Sequence, residues 1–319
     1  MAITKFLKKL LLFLGLISLI QIGIYHFSFK RISEFEQTLA QKPEVLLFGS
    51  SVEQHIAPND QDDRRLYQLL KDTLQPERKV GVISGGAFHL ELFEAYINRL
   101  LEEGKFEGKL IIPINLRSFS PEWHKRPEYQ FELEKLILRK GRYWGGFLAT
   151  LAVFKYQYTQ NIIPPAEFQD TPVKLGHQVV GTVAELTDEI NTSPERFMKE
   201  GFLLSYLAYL DRRHGKVQAF ERICRKLKAQ QVKAFFYFTP IDAEKGGQYY
   251  PKQFTKIVNA NIQLLERVAQ ERGYTIANFA YLAPSEMFDY SIRANEHLNE
   301  AGKKCLAQAL AEYYQKTLD

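Results

Sequence analysis

Short apolar runs alternate with amphipathic stretches along most of the chain, and this alternation sets the expected fold. The apolar runs that we interpret as strands cover residues 44–48, 79–83, 109–114, 233–238 and 274–278. Amphipathic stretches with a helical period cover residues 62–74, 90–103, 217–227, 254–272 and 300–317. Because helices rather than hairpin turns separate the strands, the sequence predicts an α/β fold whose parallel sheet is covered by helices on both faces.

The first apolar run of the chain is longer than a strand needs. Residues 10–29 are predominantly apolar, and a helix of that length would cover roughly 30 Å, the thickness of the hydrocarbon layer of a bilayer. No small-x-small cleavage site follows the run, which argues against a removed signal peptide. Lysines precede it and Lys30 and Arg31 follow it, so charge favours a cytoplasmic N-terminus by a small margin. We therefore predict a single-pass anchor over residues 1–30 in the cytoplasmic (inner) membrane, with the rest of the chain on the periplasmic or extracellular side.

The same pattern divides the remaining chain. Residues 31–42 form a predicted helical stalk, and residues 43–319 form one domain. That domain carries a mostly helical insertion at residues 120–215, because a structureless loop of such length is uncommon in a compact domain. We expect most aromatic residues of the insertion to form its own core, the alternative being a cap that binds a sugar or an acyl chain. These residues include Trp123, Tyr143, Trp144, Phe147, Tyr156 and Tyr158.

Composition excludes several classes of function. The chain is 45% hydrophobic and 25% charged, with a net charge of +5, as is ordinary for a packed globular protein. No long basic run with interleaved aromatic residues is present, so nucleic acid is not an expected partner. Neither zinc-ligand spacing nor a glycine-rich phosphate loop occurs, so we expect no metal and no cofactor. Cys224 and Cys305 are interpreted as two buried thiols rather than as a disulfide.

The two ends of the predicted domain carry residues of complementary chemistry. Gly49-Ser50-Ser51 follows the first strand, and His297 lies in the loop before the last helix. A parallel sheet brings such positions together at the carboxyl edge of its strands. A serine on a tight turn needs a base to act as a nucleophile, and histidine has a pKa suited to that role. The sequence thus predicts Ser51 as a nucleophile and His297 as its base, whereas we expect His55 to lie on a solvated face.

Two further strand-end segments complete an ordered set of blocks. Ser84-Gly85-Gly86-Ala87 follows the second strand, and Pro113-Ile114-Asn115 ends the third. Together with the Ser51 turn and His297, they resemble the four blocks of the SGNH (GDSL-like) hydrolase superfamily. The resemblance covers residues 43–119 and 217–317, and it implies a three-layer, flavodoxin-like parallel sheet in a membrane-anchored bacterial member. Ser50 stands where the family commonly has aspartate, and Pro113 stands where it usually has glycine.

The resemblance also implies a role for each matched residue. Ser51 corresponds to the nucleophile and His297 to the base. The backbone amides of Ser51 and Gly86 and the side-chain amide of Asn115 correspond to the donors of the oxyanion hole, with Gly85 as the alternative to Gly86. Removal of one such donor typically lowers turnover by about two to three orders of magnitude.

The acidic member of the triad is not evident from the resemblance. The family usually has aspartate three residues before the histidine, and that position is Ala294 here. Asp289 and Glu296 are the nearby carboxylates that could orient His297. A Ser-His dyad helped by a backbone carbonyl is the other arrangement that the sequence leaves open.

These observations lead us to expect a membrane-anchored, serine-dependent esterase or O-acyltransferase that acts through a Ser-His acyl-enzyme. Membrane-tethered members of the superfamily imply an acylated glycan of the cell envelope as substrate and a membrane protein as acyl donor. One alternative is an esterase for small or lipid esters, with the anchor as a tether. The other is a catalytically silent binding or assembly protein of the cell envelope. Hydrolase and transferase share one acyl-enzyme intermediate, so the sequence does not separate them.

Overall fold

A computed structural model describes residues 2–28, 30–74, 78–102, 104, 106–140, 165–187, 193–290 and 296–318. The helices are α1 (Ala2–Ser28), α2 (Lys30–Ala40), α3 (Ser51–Gln54), α4 (Leu66–Thr73), α5 (Leu90–Glu102), α6 (Pro121–Lys125), α7 (Glu132–Lys140), α8 (Pro165–Gln169), α9 (Val183–Thr187), α10 (Pro194–Tyr206), α11 (Gly215–Ala229), α12 (Ala243–Tyr249), α13 (Phe254–Glu271) and α14 (Glu300–Leu318). The strands are β1 (Val45–Gly49), β2 (Val80–Ser84), β3 (Lys109–Ile114), β4 (Pro172–Leu175), β5 (Gln178–Thr182), β6 (Ala234–Phe238) and β7 (Ile276–Asn278). The chain divides into two compact units, Met1–Ala40 with Phe131–Ile162 and Gln41–Gln130 with Ile163–Asp319.

The first unit begins with α1, a helix of 27 residues that contains the long apolar run. Among the α1 side chains that the structure describes, these large apolar ones are exposed: Phe6, Leu7, Leu10, Leu11, Leu12, Phe13, Leu14, Leu16, Ile17, Leu19, Ile20 and Ile22. Among the residues that the structure describes, no helix has both the length and the apolar character needed to cross a membrane. The short helix α2 follows, and its Arg31 lies 3.5 Å from Glu134 of α7.

The second unit is built on a five-stranded parallel sheet with the strand order β2-β1-β3-β6-β7. The predicted parallel α/β sheet is thus confirmed, and all five of its predicted strands are present. Every residue of β1 and β6 is buried, which agrees with their uninterrupted apolar sequences. The order of the strands reverses direction beside β1, and a crevice for a ligand forms at such a point, outside the carboxyl ends of the strands.

Helices pack on both faces of this sheet because successive strand residues point to opposite sides. On one face, Val45 and Leu47 belong to a core cluster that includes residues of α4 and α14. On the other face, Phe48 meets Phe93 of α5 at a ring distance of 5.2 Å, and Phe236 meets Phe220 of α11 at 4.9 Å. The sheet therefore forms the middle of three layers.

The predicted insertion combines helices with a hairpin. Helices α6, α7, α8, α9 and α10 lie within residues 120–215, and β4 and β5 pair antiparallel there. This hairpin was not predicted from the sequence. Trp123 is buried, whereas Tyr143, Trp144, Phe147, Tyr156 and Tyr158 lie outside the described residues.

The two cysteines are free thiols, as the sequence analysis favoured. Cys224 is buried in α11, whereas Cys305 on α14 is only partly buried. Burial raises the pKa of the Cys224 thiol well above its usual range, so this thiol packs as a small apolar group.

Candidate active site

The Ser51 turn joins the carboxyl end of β1 directly to the one-turn helix α3. Ser50 is the N-cap of α3, and its hydroxyl oxygen accepts the Val52 amide at 3.2 Å. The Glu53 carboxylate completes a capping box by accepting the backbone amide of Ser50 and, at 3.0 Å, its hydroxyl. A side chain at Gly49 would lie 3.0 Å from the Cβ of Glu53, so glycine allows the close approach. These contacts place Ser51 at the first position of the helix.

Glu53 also ties this turn to the centre of the sheet. Its carboxylate accepts the hydroxyl of Tyr237, on β6, at 2.6 Å, and the Glu53 side chain is fully buried. Burial raises the pKa of Glu53, while the hydrogen bonds from Tyr237 and Ser50 act in the opposite direction. The Ser51 turn thus rests on a buried and fully hydrogen-bonded carboxyl group.

His297 is held by hydrogen bonds to the segment that precedes it in the same loop. The amide of Asp289 donates to the His297 carbonyl at 2.8 Å, and the Asn299 amide donates to the Met287 carbonyl at 3.0 Å. The side chain of Asn299 accepts the Gly302 amide at 3.2 Å, as expected of the residue that caps α14. The imidazole therefore extends from a fixed backbone.

The structure brings Ser51 and His297 together although 246 positions separate them. The Ser51 Oγ lies 3.1 Å from the His297 Nε2, which is within reach for a nucleophile and its base. Burial lowers the pKa of His297 to about 4, with Glu296 acting in the opposite direction and His55 and Arg117 lowering it further. The imidazole is consequently neutral at neutral pH, and its Nε2 can accept the hydroxyl proton.

Neither predicted carboxylate is bonded to His297. Asp289 Oδ2 lies 2.6 Å from the Nε2 of His55, and both oxygens of Glu296 accept Nη1 of Arg117, at 2.9 and 3.1 Å. Within the described part of the chain, the buried Nδ1 of His297 has no hydrogen-bond partner. The residues just before Glu296, including Ala294, lie outside the described residues. The two candidate carboxylates therefore contact His55 and Arg117 in this structure, and the acidic member of a triad stays a prediction.

His55 is not on a solvated face, so this expectation was wrong. Its side chain is 14% exposed, and its ring stacks on the His297 ring with centroids 4.3 Å apart and planes 18° from parallel. His55 ends α3 with an extended backbone, φ −65° and ψ 140°. The sequence does contain a signal for the proximity of His55 to the site, namely its spacing of four residues from Ser51, because residues four apart in a helical turn share one face.

Asn115 presents a buried donor at the carboxyl end of β3. Its Oδ1 accepts the backbone amide of Arg117 at 2.9 Å, which leaves Nδ2 as the group available to a ligand. This Nδ2 is buried and has no partner among the described residues. A buried donor without a partner costs free energy, and an oxyanion would satisfy it.

Gly85 and Gly86 form the turn that follows β2, the neighbour of β1. A Cβ at Gly85 would lie 2.4 Å from the ring of Phe88, whereas a Cβ at Gly86 would meet nothing within 4 Å. The Gln54 side chain of α3 donates to the Ser84 hydroxyl at 3.0 Å and links this turn to the Ser51 turn. Gly86 is thus the open position of the pair, at the same edge of the sheet as Ser51.

Arg117 is a residue of this region that the sequence analysis missed. Its side chain is largely buried, at 12% exposure, and although burial lowers its pKa, Glu296 and Glu122 outweigh this effect and raise the pKa above its usual value. Its bond to Glu296 connects the segment after Asn115 with the residue before His297. No signal in the sequence indicates the pair, because its two side chains come from separate loops and their pairing has no period in the chain.

A small cavity lies beside this region, next to the segment that follows Asn115. It is lined by Leu116, Phe119, Ser120, Leu204, Ser205, Tyr206, Ala208, Leu210, Val258 and Asn261. Its volume of about 20 Å³ holds about one water molecule, and neither Ser51 nor His297 lines it. Within the described residues, no group of three or more histidine, cysteine, aspartate or glutamate side chains is placed to hold a metal ion.

Comparisons with known proteins give distant structural likenesses. No family model matches the chain, and no curated protein matches it. A protein from Agrobacterium tumefaciens str. C58, provisionally described as an arylesterase, is similar with a TM-score of 0.40 and 12% identity, over 86% of this chain and 99% of that one. Axe2, an acetylxylan esterase from Geobacillus stearothermophilus, is similar with a TM-score of 0.39 and 11% identity, over 87% of this chain and 94% of that one. Similarities at this level carry no argument about activity or substrate. The inference of function therefore rests on the geometry around Ser51.

Proposed function

We propose that the protein is a serine-dependent ester hydrolase or O-acyltransferase in which Ser51 is the nucleophile and His297 the general base. The observation that carries the proposal is the 3.1 Å distance from the Ser51 Oγ to the His297 Nε2. The neutral state of His297, which follows from its lowered pKa, supports the same assignment, because only the neutral imidazole can take the hydroxyl proton.

In the proposed reaction, His297 removes the hydroxyl proton of Ser51 while Oγ forms a bond to the acyl carbon. The negative charge that develops on the carbonyl oxygen is stabilised by the backbone amides of Ser51 and Gly86 and by Nδ2 of Asn115. His297 then gives its proton to the departing alcohol oxygen, and the acyl group stays on Ser51. Water or an acceptor hydroxyl attacks this ester with His297 again as base, which releases either an acid or a new ester.

For the location and the substrate, we propose that α1 binds the cytoplasmic membrane and that the second unit acts outside the cytoplasm. The exposed apolar side chains of α1 and the adjacent Lys5, Lys8 and Lys9 support membrane binding. An acylated glycan of the cell envelope, or a small ester, would then be the substrate, and a membrane protein is a candidate acyl donor. Recovery of the full-length protein in the soluble fraction after cell lysis would contradict membrane binding. A reporter fused to the C-terminus tests the proposed topology, and a signal that places this reporter in the cytoplasm would contradict it.

A catalytically silent binding protein is the second candidate. One observation favours it, namely that the carboxylates of Asp289 and Glu296 bond to His55 and Arg117 instead of His297. Loss of an acid that orients the base can lower turnover by about four orders of magnitude in a serine protease. An activated Ser51 would distinguish an enzyme from such a protein.

A fluorophosphonate probe tests the proposal without knowledge of the substrate, because it forms a stable bond with activated serines. We expect the full-length protein in mild detergent to be labelled at Ser51, as mapped by mass spectrometry, and we expect Ser51→Ala and His297→Ala to remain unlabelled. Ser193→Ala is the matched control, since Ser193 likewise caps a helix, α10, but is exposed. A folded wild-type protein that never reacts at Ser51 would favour the silent binding protein.

A further inference from the structure

A second histidine lies in contact with the proposed base, and it is bonded to a carboxylate of its own. The Nε2 of His55 lies 2.6 Å from Asp289 Oδ2, and the two side chains are 14% and 11% exposed. The proposed reaction uses neither residue. Burial of two polar side chains needs close geometry to offset their desolvation, so the position of this pair beside His297 requires an explanation.

The contact between the two rings restricts how His297 can move. The centroids are 4.3 Å apart, and the planes are 18° from parallel. Rotation of the His297 ring would move Nε2 away from the Ser51 Oγ, and the flat face of His55 opposes that rotation by steric contact. His55 ends the helix α3 that Ser51 begins, so one short helix carries both the nucleophile and the surface against which its base packs.

The backbone supports the same arrangement from the other side. The Asp289 amide donates to the His297 carbonyl at 2.8 Å, while the Asp289 carboxylate holds His55. Asp289 therefore fixes the main chain of the base and the ring that stacks on it. This double contact links the loop of the base to the end of the helix that carries Ser51.

We propose that His55 and Asp289 are positioning residues for the reaction, and that they hold the His297 imidazole through ring stacking rather than through a hydrogen bond to Nδ1. The inference rests on the proposed function of Ser51 and His297. It gives Asp289 a role, but through His55 rather than as a direct member of a Ser-His-Asp triad. No bond to substrate is assigned to either residue.

The pair also acts on His297 electrostatically. The charged or titratable groups that face the His297 ring are His55 from the end of α3, Arg117 from the segment after β3, and Asp289 and Glu296 from its own loop. His55 acts to lower the pKa of His297, because a positive charge against the ring disfavours an imidazolium there. Replacement of His55 by an uncharged ring should therefore make His297 easier to protonate.

Two substitutions separate the stacking contribution from the charge. His55→Ala removes the ring, and misplacement of a catalytic group by about 1 Å can cost about 100-fold in rate. We expect a fall of that order in the rate of fluorophosphonate labelling at Ser51. His55→Phe keeps a flat ring without a charge, so it should recover most of the rate at pH 8 and shift the acidic limb of the pH profile to higher pH. His177→Ala is the matched control, because His177 also packs against an aromatic ring, that of Tyr209, with centroids 4.8 Å apart and planes 32° from parallel.

The outcomes distinguish this inference from the proposed function. If the wild-type protein is labelled at Ser51 and the two His55 variants react at its rate, the positioning role is refuted and the nucleophile stands. Equal loss of labelling rate in both variants, with an unchanged pH profile, would indicate that His55 has only a structural role and would also refute the positioning role.

NMR titration of the seven histidines, labelled at their ring carbons, adds a measurement that does not depend on activity. The His297 resonance should titrate at higher pH in His55→Phe, and an unchanged curve would refute the electrostatic effect of His55 on the base even if Ser51 is never labelled.

Discussion

Arg117 and Glu296 form a buried ion pair beside the proposed base. Arg117 Nη1 donates to both carboxylate oxygens of Glu296, at 2.9 and 3.1 Å, and the Glu296 side chain is fully buried. Since Glu296 immediately precedes His297, this pair connects the loop of the base to the segment after β3. Removal of Arg117 would leave the buried charge of Glu296 without compensation.

Arg117→Met should destabilise the protein by about 3–5 kcal/mol, the usual cost of breaking a buried pair by removing one partner. Urea unfolding followed by circular dichroism measures the change. The double variant Arg117→Met/Glu296→Leu is the control, because it removes both charges and should recover most of the loss. A single variant as stable as the wild type would show that water reaches Glu296.

The glycines after β2 offer a matched pair of substitutions. Gly85→Ala would bring Cβ to within 2.4 Å of the ring of Phe88, which is itself buried. We expect a loss of stability of about 1–3 kcal/mol, as is typical of overpacking. Gly86→Ala meets nothing within 4 Å and should leave the midpoint of thermal unfolding unchanged. Equal effects of the two substitutions would contradict the geometry of this turn.

Much of this architecture could be predicted from the sequence, for a physical reason. Strands buried on both faces, such as β1 and β6, must be apolar throughout, and that requirement is visible in a single sequence. The proximity of Ser51 and His297 was also predictable, because the carboxyl ends of parallel strands share one edge of the sheet. The oxyanion donors remain predictions, although Gly86 and Asn115 both lie at strand ends that flank β1 in the sheet.

Other features of the site depend on contacts that a sequence pattern does not encode. The ion pair of Arg117 with Glu296 and the bond from His55 to Asp289 join side chains from separate loops, and such pairing has no period in the chain. The hairpin of β4 and β5 was missed for a different reason. Its turn contains Gly176 with φ +65°, a conformation that favours glycine, and the strands are rich in valine, so the signal was present but short.

The pH dependence of labelling provides a test of the environment of His297. Its pKa is lowered to about 4, chiefly by burial, and the protonated imidazole cannot act as a base. The labelling rate at Ser51 should therefore change little between neutral pH and about pH 5, and should fall with an acidic midpoint near 4. Circular dichroism at each pH confirms that the protein is folded. A midpoint near 6.5, the usual value for histidine, would mean that the ring is solvated.

Glu53 makes a prediction about stability and pH. Burial raises its pKa above the usual value of 4.5, so the folded protein holds this proton more tightly than the unfolded chain does. Stability from this group is fully present below pH 4.5 and is lost as pH rises through the higher pKa of the folded state. Glu53→Gln does not titrate there, so the free energy of unfolding of the wild type should fall relative to that of the variant as pH rises. Each unit of pKa difference corresponds to about 1.4 kcal/mol.

Urea titrations of the wild type and Glu53→Gln at several values of pH between 4 and 8 would measure this difference, at urea concentrations corrected for each buffer. Tyr237→Phe is a useful comparison, because it removes a hydrogen bond that lowers the pKa of Glu53 and should therefore increase the pH dependence. Parallel curves for the wild type and Glu53→Gln would indicate that the carboxyl group has the same affinity for a proton in both states.

Asn115 separates a structural role from a catalytic one within a single side chain. Its Oδ1 accepts the Arg117 amide at 2.9 Å, and its Nδ2 is a buried donor with no partner among the described residues. Asn115→Asp keeps the acceptor and replaces the donor, so it should retain the local turn but reduce turnover of a small ester such as p-nitrophenyl acetate. The expected loss is about two to three orders of magnitude, as for other oxyanion donors.

Asn115→Ala removes both functions and should lower stability by about 1 kcal/mol in addition, because the cap on the Arg117 amide is lost. The comparison of the two variants therefore assigns the rate effect to Nδ2 and the stability effect to Oδ1. The buried donor has a physical reason to show the larger effect, since it acts in a site where water does not compete. If Asn115→Asp turns over the ester at the wild-type rate, Asn115 is only a cap, and the donors of the oxyanion hole must lie in the backbone of the Ser51 and Gly86 turns.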